Sequence, residues 1–374
     1  EQDFRPALLA RAAQMVATPA PLIERMMLFW SNHFTVSTDR RVIGPAIPAF
    51  EREVIRPRIF GRFADLLKAV SRHPVMLIYL DNPASIGPGS PAGLRRRQNR
   101  GVETTLNENF AREILELHTL GVGGGYDQQD VIGLALALTG WSHGGLRRGG
   151  DEEIHGNFQF VRRQHEPGPK VVLGRTYAEA GADEGLQILD DLARHPATAR
   201  HLATKLVRHF VADDPPEEDV ARIARVYLDS EGDLAQVTAA LIGLESVWRE
   251  PLAKVKSHHD FIIAVHRAAG QGAPRPRDFF GPLRLLAQMP FSARSPQGWG
   301  DRAGDWIAPE SLMIRLEWAH QFAARLPGGI VPRQVMDDSI GAVAREVTQT
   351  WLYRAPSAEA ALTLLFGSPE FQRR

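Results

Sequence analysis

Asn109, Glu113 and Glu116 recur at i, i+4 and i+7, the spacing that places three side chains along one face of an α-helix. The segment from Thr105 to Leu120 is predicted to be that helix. Thr105 and Glu108 have capping-box spacing, and Gly121 is placed to end it. At about 100° per residue, Leu106, Phe110, Ile114, Leu117 and Leu120 share an apolar face. Glu113 falls inside that face, with Asn109 and Glu116 along its edge. A carboxylate on an apolar face is costly unless it is paired or hydrogen-bonded. Burial and a second carboxylate nearby both raise its proton affinity, which is how a general acid is made. The same stripe of oxygens suits a hard divalent cation. A plain ion pair with a buried arginine is the third reading, and Arg112–Glu116 already has i, i+4 ion-pair spacing.

A second helix is predicted over 20–36. Within it Leu22, Met26, Phe29 and His33 form one stripe, with Arg25 and Asn32 on its edge. His33 is either a satisfied core residue or a group tuned for proton transfer. Asp81, in Tyr79-Leu80-Asp81-Asn82-Pro83, either begins a turn or adds a third carboxylate. Trp141, after Thr139-Gly140, is either core or a stacking platform at a loop mouth. Asp127 and Asp130 read as an N-cap and N3 pair. The expected site therefore comprises Glu113, Glu116, Asp81 and His33 as catalytic groups, with Asn32, Asn109, Arg112 and Trp141 contacting substrate. Leaving each of these polar groups buried alone costs about 1–3 kcal/mol, so they are expected to satisfy one another around one cleft. No metal is assigned; a hard cation on Asn109, Glu113 and Glu116 is the minor alternative. His258, His259, Asp260 and His266 match no ligand spacing. Arg95, Arg96, Arg97 and Arg100 suit an anionic polymer or a solvated loop. There is no phosphate-cradling loop and no Gly-x-Ser-x-Gly elbow.

The elements that must hold these residues are mainly helical. Helices are also predicted over 7–18, 47–71, 128–141, 197–212, 217–230, 233–246, 258–269, 310–325 and 335–352. A β-hairpin is expected between 157–161 and 170–173, turning at Glu166-Pro167-Gly168-Pro169. Met76–Tyr79 fits either a strand or a helix. Loops are expected at 85–103, 143–156 and 295–309, the first bordering the site. The predicted fold is mainly α, one large helical domain over 1–374 with a single small hairpin. It subdivides into a helical lobe with the site at 1–142, a loop and hairpin at 143–177, and a second helical lobe at 178–374.

Composition narrows the function classes. The 374 residues include 44 Lys+Arg and 44 Asp+Glu, a net charge of zero, which argues against a general nucleic-acid binder. A hydrophobic content of 44% excludes disorder as the default, and no apolar run approaches a membrane span. With no cysteine, disulfides, zinc thiolates, iron–sulfur clusters and cysteine nucleophiles are excluded. Glu1 is followed by no hydrophobic signal region, so any targeting segment is expected upstream.

The strings Leu28-Phe29-Trp30-Ser31-Asn32-His33-Phe34, Asn107 to Thr119 and Leu138-Thr139-Gly140-Trp141 resemble the bacterial family catalogued as domain of unknown function 1800. His165 with Gly168 and Lys170, the run from His195 to Val211, and Lys254-Val255-Lys256 extend the resemblance from about residue 8 to the C-terminus. It implies a mostly helical fold and a domain truncated at its N-terminus. Export to the periplasm or beyond, a polymeric substrate and a sulfatase-like partner protein are also implied. Gly133 stands where an acidic residue is common and Glu166 where Asp is common, which implies altered activity if those positions matter. The leading expectation is an exported hydrolase acting on a glycan or other cell-envelope polymer through a buried carboxylate pair. The alternative is a non-enzymatic envelope scaffold or assembly protein, in which buried polar groups serve packing specificity.

Overall fold

A computed structural model describes residues 4–100, 106–144 and 157–374. Among them are nineteen α-helical segments and two small two-stranded antiparallel sheets, so the chain is mainly α as predicted. One buried hydrophobic cluster runs from Leu8 to Phe371. The helices form where apolar residues repeat at helical spacing. Helix Phe63–Arg72 buries Phe63, Leu66, Leu67 and Val70, with Asp65 in its first turn and Arg72 in its last, matching the helix dipole. Helix Pro196–Phe210 buries Ala199, Leu202, Ala203, Leu206 and Val207, and the His195 ring caps it by accepting from Ala197 N (3.1 Å). The Asp127/Asp130 capping box forms as predicted at the start of helix Gln128–Ala137.

Both terminal stretches pack against the 254–268 region. Helix Arg5–Ala17 lies against helix His258–Ala268. Arg267 Nη1 donates to the carbonyls of Met15, Val16 and Thr18 (3.0, 2.8 and 2.9 Å), satisfying groups that the end of the first helix leaves without partners. An extended C-terminal stretch pairs with the Lys254–Lys256 segment: Lys256 N donates to Gln372 O (2.9 Å) and Arg374 N to Lys254 O (2.8 Å).

Several elements differ from the sequence expectation. The predicted helix 47–71 breaks into Ile47–Phe50, a π-helical turn Glu51–Ile55, a tight turn Arg56–Arg58 and helix Phe63–Arg72, with Pro57 and Gly61 at the break. The predicted 335–352 splits into Pro332–Ile340 and Glu346–Tyr353. Met76–Tyr79 is helical, within Pro74–Tyr79. Helices Pro91–Arg100, Ala182–Arg194, Pro276–Leu285 and Ala358–Gly367 were not anticipated; the first occupies much of the expected 85–103 loop. Residues 145–156 of the second expected loop lie outside the described residues.

A small hairpin forms, but not between the expected strands. Strand β1 (Trp141–His143) pairs with β2 (Phe158–Phe160), and β3 (Lys170–Val172) pairs with β4 (Arg175–Tyr177). Leu173 and Gly174 both have positive φ (51° and 71°), as a two-residue type I′ turn requires, and this turn folds β3 onto β4 instead. The presumed turn is held elsewhere. Glu166 accepts from Gly89 N (2.7 Å), and buried Lys170 donates to Glu166 O and Gly168 O while pairing with Glu184 (3.1 Å). Gly133 has a packing role: a Cβ there would lie 2.1 Å from Val171 O on β3.

Candidate functional site

The helix carrying the acidic stripe begins later than predicted. It runs Asn109–Glu113 and continues as a π-helical turn, Ile114–His118; Thr105, its predicted cap, lies outside the described residues. The wider turn changes which residues face inward. Phe110, Ala111, Ile114, Leu115 and His118 are buried, whereas Glu113 and Glu116 are half-buried and Asn109 is exposed. Burial and neighbouring Glu116 push the Glu113 carboxyl above its ordinary range, with Arg112 opposing. Glu116 accepts from Tyr126 OH (3.3 Å), and burial together with Glu113 and Asp39 pushes the Tyr79 phenol up to about 12. Arg112 pairs with Glu108 (3.0 Å) and donates to Gln128 (2.9 Å), rather than pairing with Glu116.

Asp81 and His33 both adjoin the segment that carries the stripe: Asn107 Nδ2 donates to Asp81 O (2.8 Å), and His33 meets His118 O. Asp81 sits at φ 59° on the surface, ion-paired with Arg40. His33 is fully enclosed: Lys205 Nζ donates to its Nδ1 (3.0 Å), so its Nε2–H donates to His118 O (3.1 Å). Burial, Lys205 and His118 hold His33 well below the ordinary histidine range. Trp141 is core and not a platform; its indole meets Phe158 edge-on (5.2 Å) and leaves no room for a Cβ on Gly185. The helix Pro91–Arg100 packs near Arg162–Gln164. Among the described residues no three His, Asp or Glu side chains are arranged to hold a metal ion. His258 is occupied by Arg315, and His266 packs edge-on against Phe322 (4.7 Å).

A concave site, a cleft of about 830 Å³ open to solvent, includes Asn32 alone of the predicted site residues. Helix Pro21–His33 supplies Arg25 and Asn32, helix Pro196–Phe210 supplies His209, helix His258–Ala268 supplies His259 and Asp260, and the C-terminal stretch supplies Arg374. A further wall is the 295–309 loop. Asn32 pins it twice, donating to Trp299 O (3.0 Å) and accepting from Trp299 N (2.8 Å). Gly298, at φ 81°, allows this approach, since a Cβ there would lie 2.6 Å from Asn32. Asp213 accepts from Ala303 N (2.6 Å), and Lys254 donates to Asp301 O.

This anchoring sets His209 against Asp301. His209 Nδ1–H donates to Asp301 Oδ2 (2.8 Å), which leaves Nε2 as the lone-pair nitrogen, 3.4 Å from Arg374 Nη2. Side-chain exposures of 16% and 25% keep the pair within reach of the cleft. Burial, helped by Arg374 and opposed by Asp301, holds His209 below the ordinary histidine range, so it is neutral at pH 7. Burial pushes the carboxyls of Asp301 and Asp260 up, but the neighbouring cations and histidines outweigh it and hold both below the usual carboxylate range. Arg374 ion-pairs with Asp260. A neutral imidazole oriented by an ionised carboxylate is the arrangement of a general base.

Sequence spacing did not reveal this pair because its partners are 92 residues apart. The available signals were indirect: Arg25 on the edge of the His33 helix, the His195–Val211 and Lys254–Lys256 strings, and tryptophans in the 295–309 loop. Three of the strings that carry the family resemblance build the cleft or anchor its walls.

The profile of the family described as "Protein of unknown function (DUF1800)" matches residues 1–373. No curated protein and no solved structure gives a significant match.

Proposed function

Because the chain belongs to the DUF1800 family, whose description assigns no activity, function has to be read from the site, and we propose a hydrolase of a glycan or other cell-envelope polymer whose reacting centre is the His209–Asp301 wall of the cleft. The observation that carries this reading is the 2.8 Å His209–Asp301 hydrogen bond beside an open cleft, which leaves Nε2 as an acceptor held only by a long contact from Arg374 Nη2 (3.4 Å), a contact that water displaces when Nε2 takes a proton. His209 takes a proton from water as the water attacks, Asp301 steadies the imidazolium that forms, and the proton then passes to the leaving group. The Arg374 guanidinium beside Nε2 places positive charge where an oxyanion develops. Both aspartates in the cleft are held ionised, so neither supplies the protonated acid that glycosidic cleavage uses. Acyl linkages of the polymer, esters or amides, therefore suit this cleft better than glycosidic bonds.

The raised Glu113 carboxyl beside Glu116 favours a second reading, acid–base cleavage of a glycosidic bond by that pair. A periplasmic or extracellular setting and a sulfatase-like partner belong to the same proposal. No helix among the described residues is long and apolar enough to cross a membrane. The test is release of soluble fragments from purified envelope polymers by the wild type, His209→Gln and Glu113→Gln. Loss in His209→Gln alone supports the cleft, and loss in Glu113→Gln alone transfers the chemistry to the stripe. No release by the wild type from any polymer favours an assembly role, for which exposed Val347 and Trp351, one turn apart on helix Glu346–Tyr353, supply an apolar patch.

A further inference from the structure

Beside the cleft lies a second pocket of about 590 Å³, itself open to solvent, and the two share Arg25, Leu28, His259, Asp260 and Arg374 in their linings. Its apolar lining includes Met15, Pro21, Ile263 and Ala264. Charged residues also line it, and all but one are engaged. Glu24 accepts two bonds from Arg56 (2.8 and 2.6 Å). Arg267 is bound to three carbonyls of the first helix, and Lys256 Nζ donates to the carbonyls of Phe371 and Arg373. Asp260 is taken by Arg374.

Arg25 is the exception. Among the described residues it makes no hydrogen bond or ion pair; its Nε is shielded from solvent without a partner, and its guanidinium lies over the Phe210 ring (5.0 Å). Desolvation lowers its pKa only to about 10, so it stays charged at pH 7. Arg25 as a whole is half-buried, and the cost falls on its Nε–H, a buried donor without an acceptor. His259 Nε2, in the same lining, is likewise buried without a partner.

We infer that the second pocket is a subsite for an aliphatic carboxylate: the carboxylate binds Arg25 and the alkyl chain lies along Leu28, Ile263 and Ala264. One guanidinium, with every neighbouring cation already engaged, matches a singly charged planar anion, whereas a phosphate would call for more donors and more charge. Taken with the proposed hydrolase, the group is a carboxylate-bearing aliphatic substituent of the polymer, bound next to the cleft across the residues the two pockets share. The inference rests on that reading for the substituent's origin but not for the binding itself.

The test is calorimetric titration of the protein with propanoate, butanoate, hexanoate and octanoate, which needs no turnover and so separates failure of the subsite from failure of the hydrolase. Affinity is expected to rise about threefold to fourfold per methylene until the pocket is full. Arg25→Gln is expected to weaken every member at least about tenfold. Ala264→Phe, which fills the pocket, is expected to flatten the chain-length dependence. Alkyltrimethylammonium ions of matching length provide a control that needs no variant, and they should not bind. Affinity independent of chain length, undiminished binding by a folded Arg25→Gln protein, or ammonium binding equal to that of the carboxylates overturns the inference.

Discussion

His118 sits at the inner side of the π-helical turn with both ring nitrogens buried and without partners. It contacts the rings of His33 (6.1 Å) and Phe34 (5.1 Å). Burial, with Lys205 and His201 adding to it, lowers its pKa from 6.5 to about 3. In the unfolded chain the same ring takes a proton near 6.5. Its contribution to stability is therefore complete above about pH 6.5 and is lost as pH falls toward about 3. At about pH 5 the unfolded state is favoured by roughly 1.5 pH units of proton binding, or about 2 kcal/mol from this one residue. His118→Leu removes the titration and two unpaired polar atoms at similar volume. At about pH 7 the variant should be at least as stable as the wild type, because an unpaired buried polar atom costs about 1–3 kcal/mol. Between about pH 7 and pH 5 the wild type should lose about 2 kcal/mol more than the variant. Urea unfolding followed by tryptophan fluorescence at the two pH values measures both quantities. Equal losses in the two proteins, or a variant weakened by more than about 3 kcal/mol at about pH 7, would refute the reasoning.

Two further outcomes test the packing. Arg267→Ala leaves three carbonyls of Met15, Val16 and Thr18 without their shared donor and should cost about 1–3 kcal/mol in urea unfolding; an unchanged midpoint would show that solvent replaces the guanidinium. Gly133→Asp drives a Cβ against Val171 O and should cost about 3 kcal/mol, read as a lowered Tm; a Tm equal to wild type would show that β3 yields without penalty.

What could be read from the sequence was what local spacing controls. Helices Phe63–Arg72 and Pro196–Phe210 carry clean apolar repeats, and the Asp127/Asp130 cap was legible because both of its partners lie within one turn. The π-helical turn at Ile114–His118 was not, since a uniform rotation per residue placed Glu113 inside the apolar face when the wider turn leaves it on the edge. Strand pairing failed for a similar reason. A Pro-Gly-Pro turn outweighed Leu173-Gly174, and Leu173 is a residue that rarely takes positive φ. Trp141 lay at the expected loop mouth, yet its surroundings, Phe158 and Gly185, come from distant parts of the chain. The cleft is assembled from seven separate chain segments, so only Asn32 was anticipated there, and only by its place on a helix edge.

The central claim is that Asp301 orients His209 as the base, and the turnover of Asp301→Asn on an acyl-linked envelope polymer tests it most directly. An asparagine fits the same space but no longer stabilises the imidazolium or selects the Nδ1–H tautomer. In Asp301→Asn, kcat is expected at least about a hundredfold below wild type with an unchanged unfolding midpoint. Wild-type turnover by a folded Asp301→Asn protein, with loss of activity in Glu113→Gln, would contradict it.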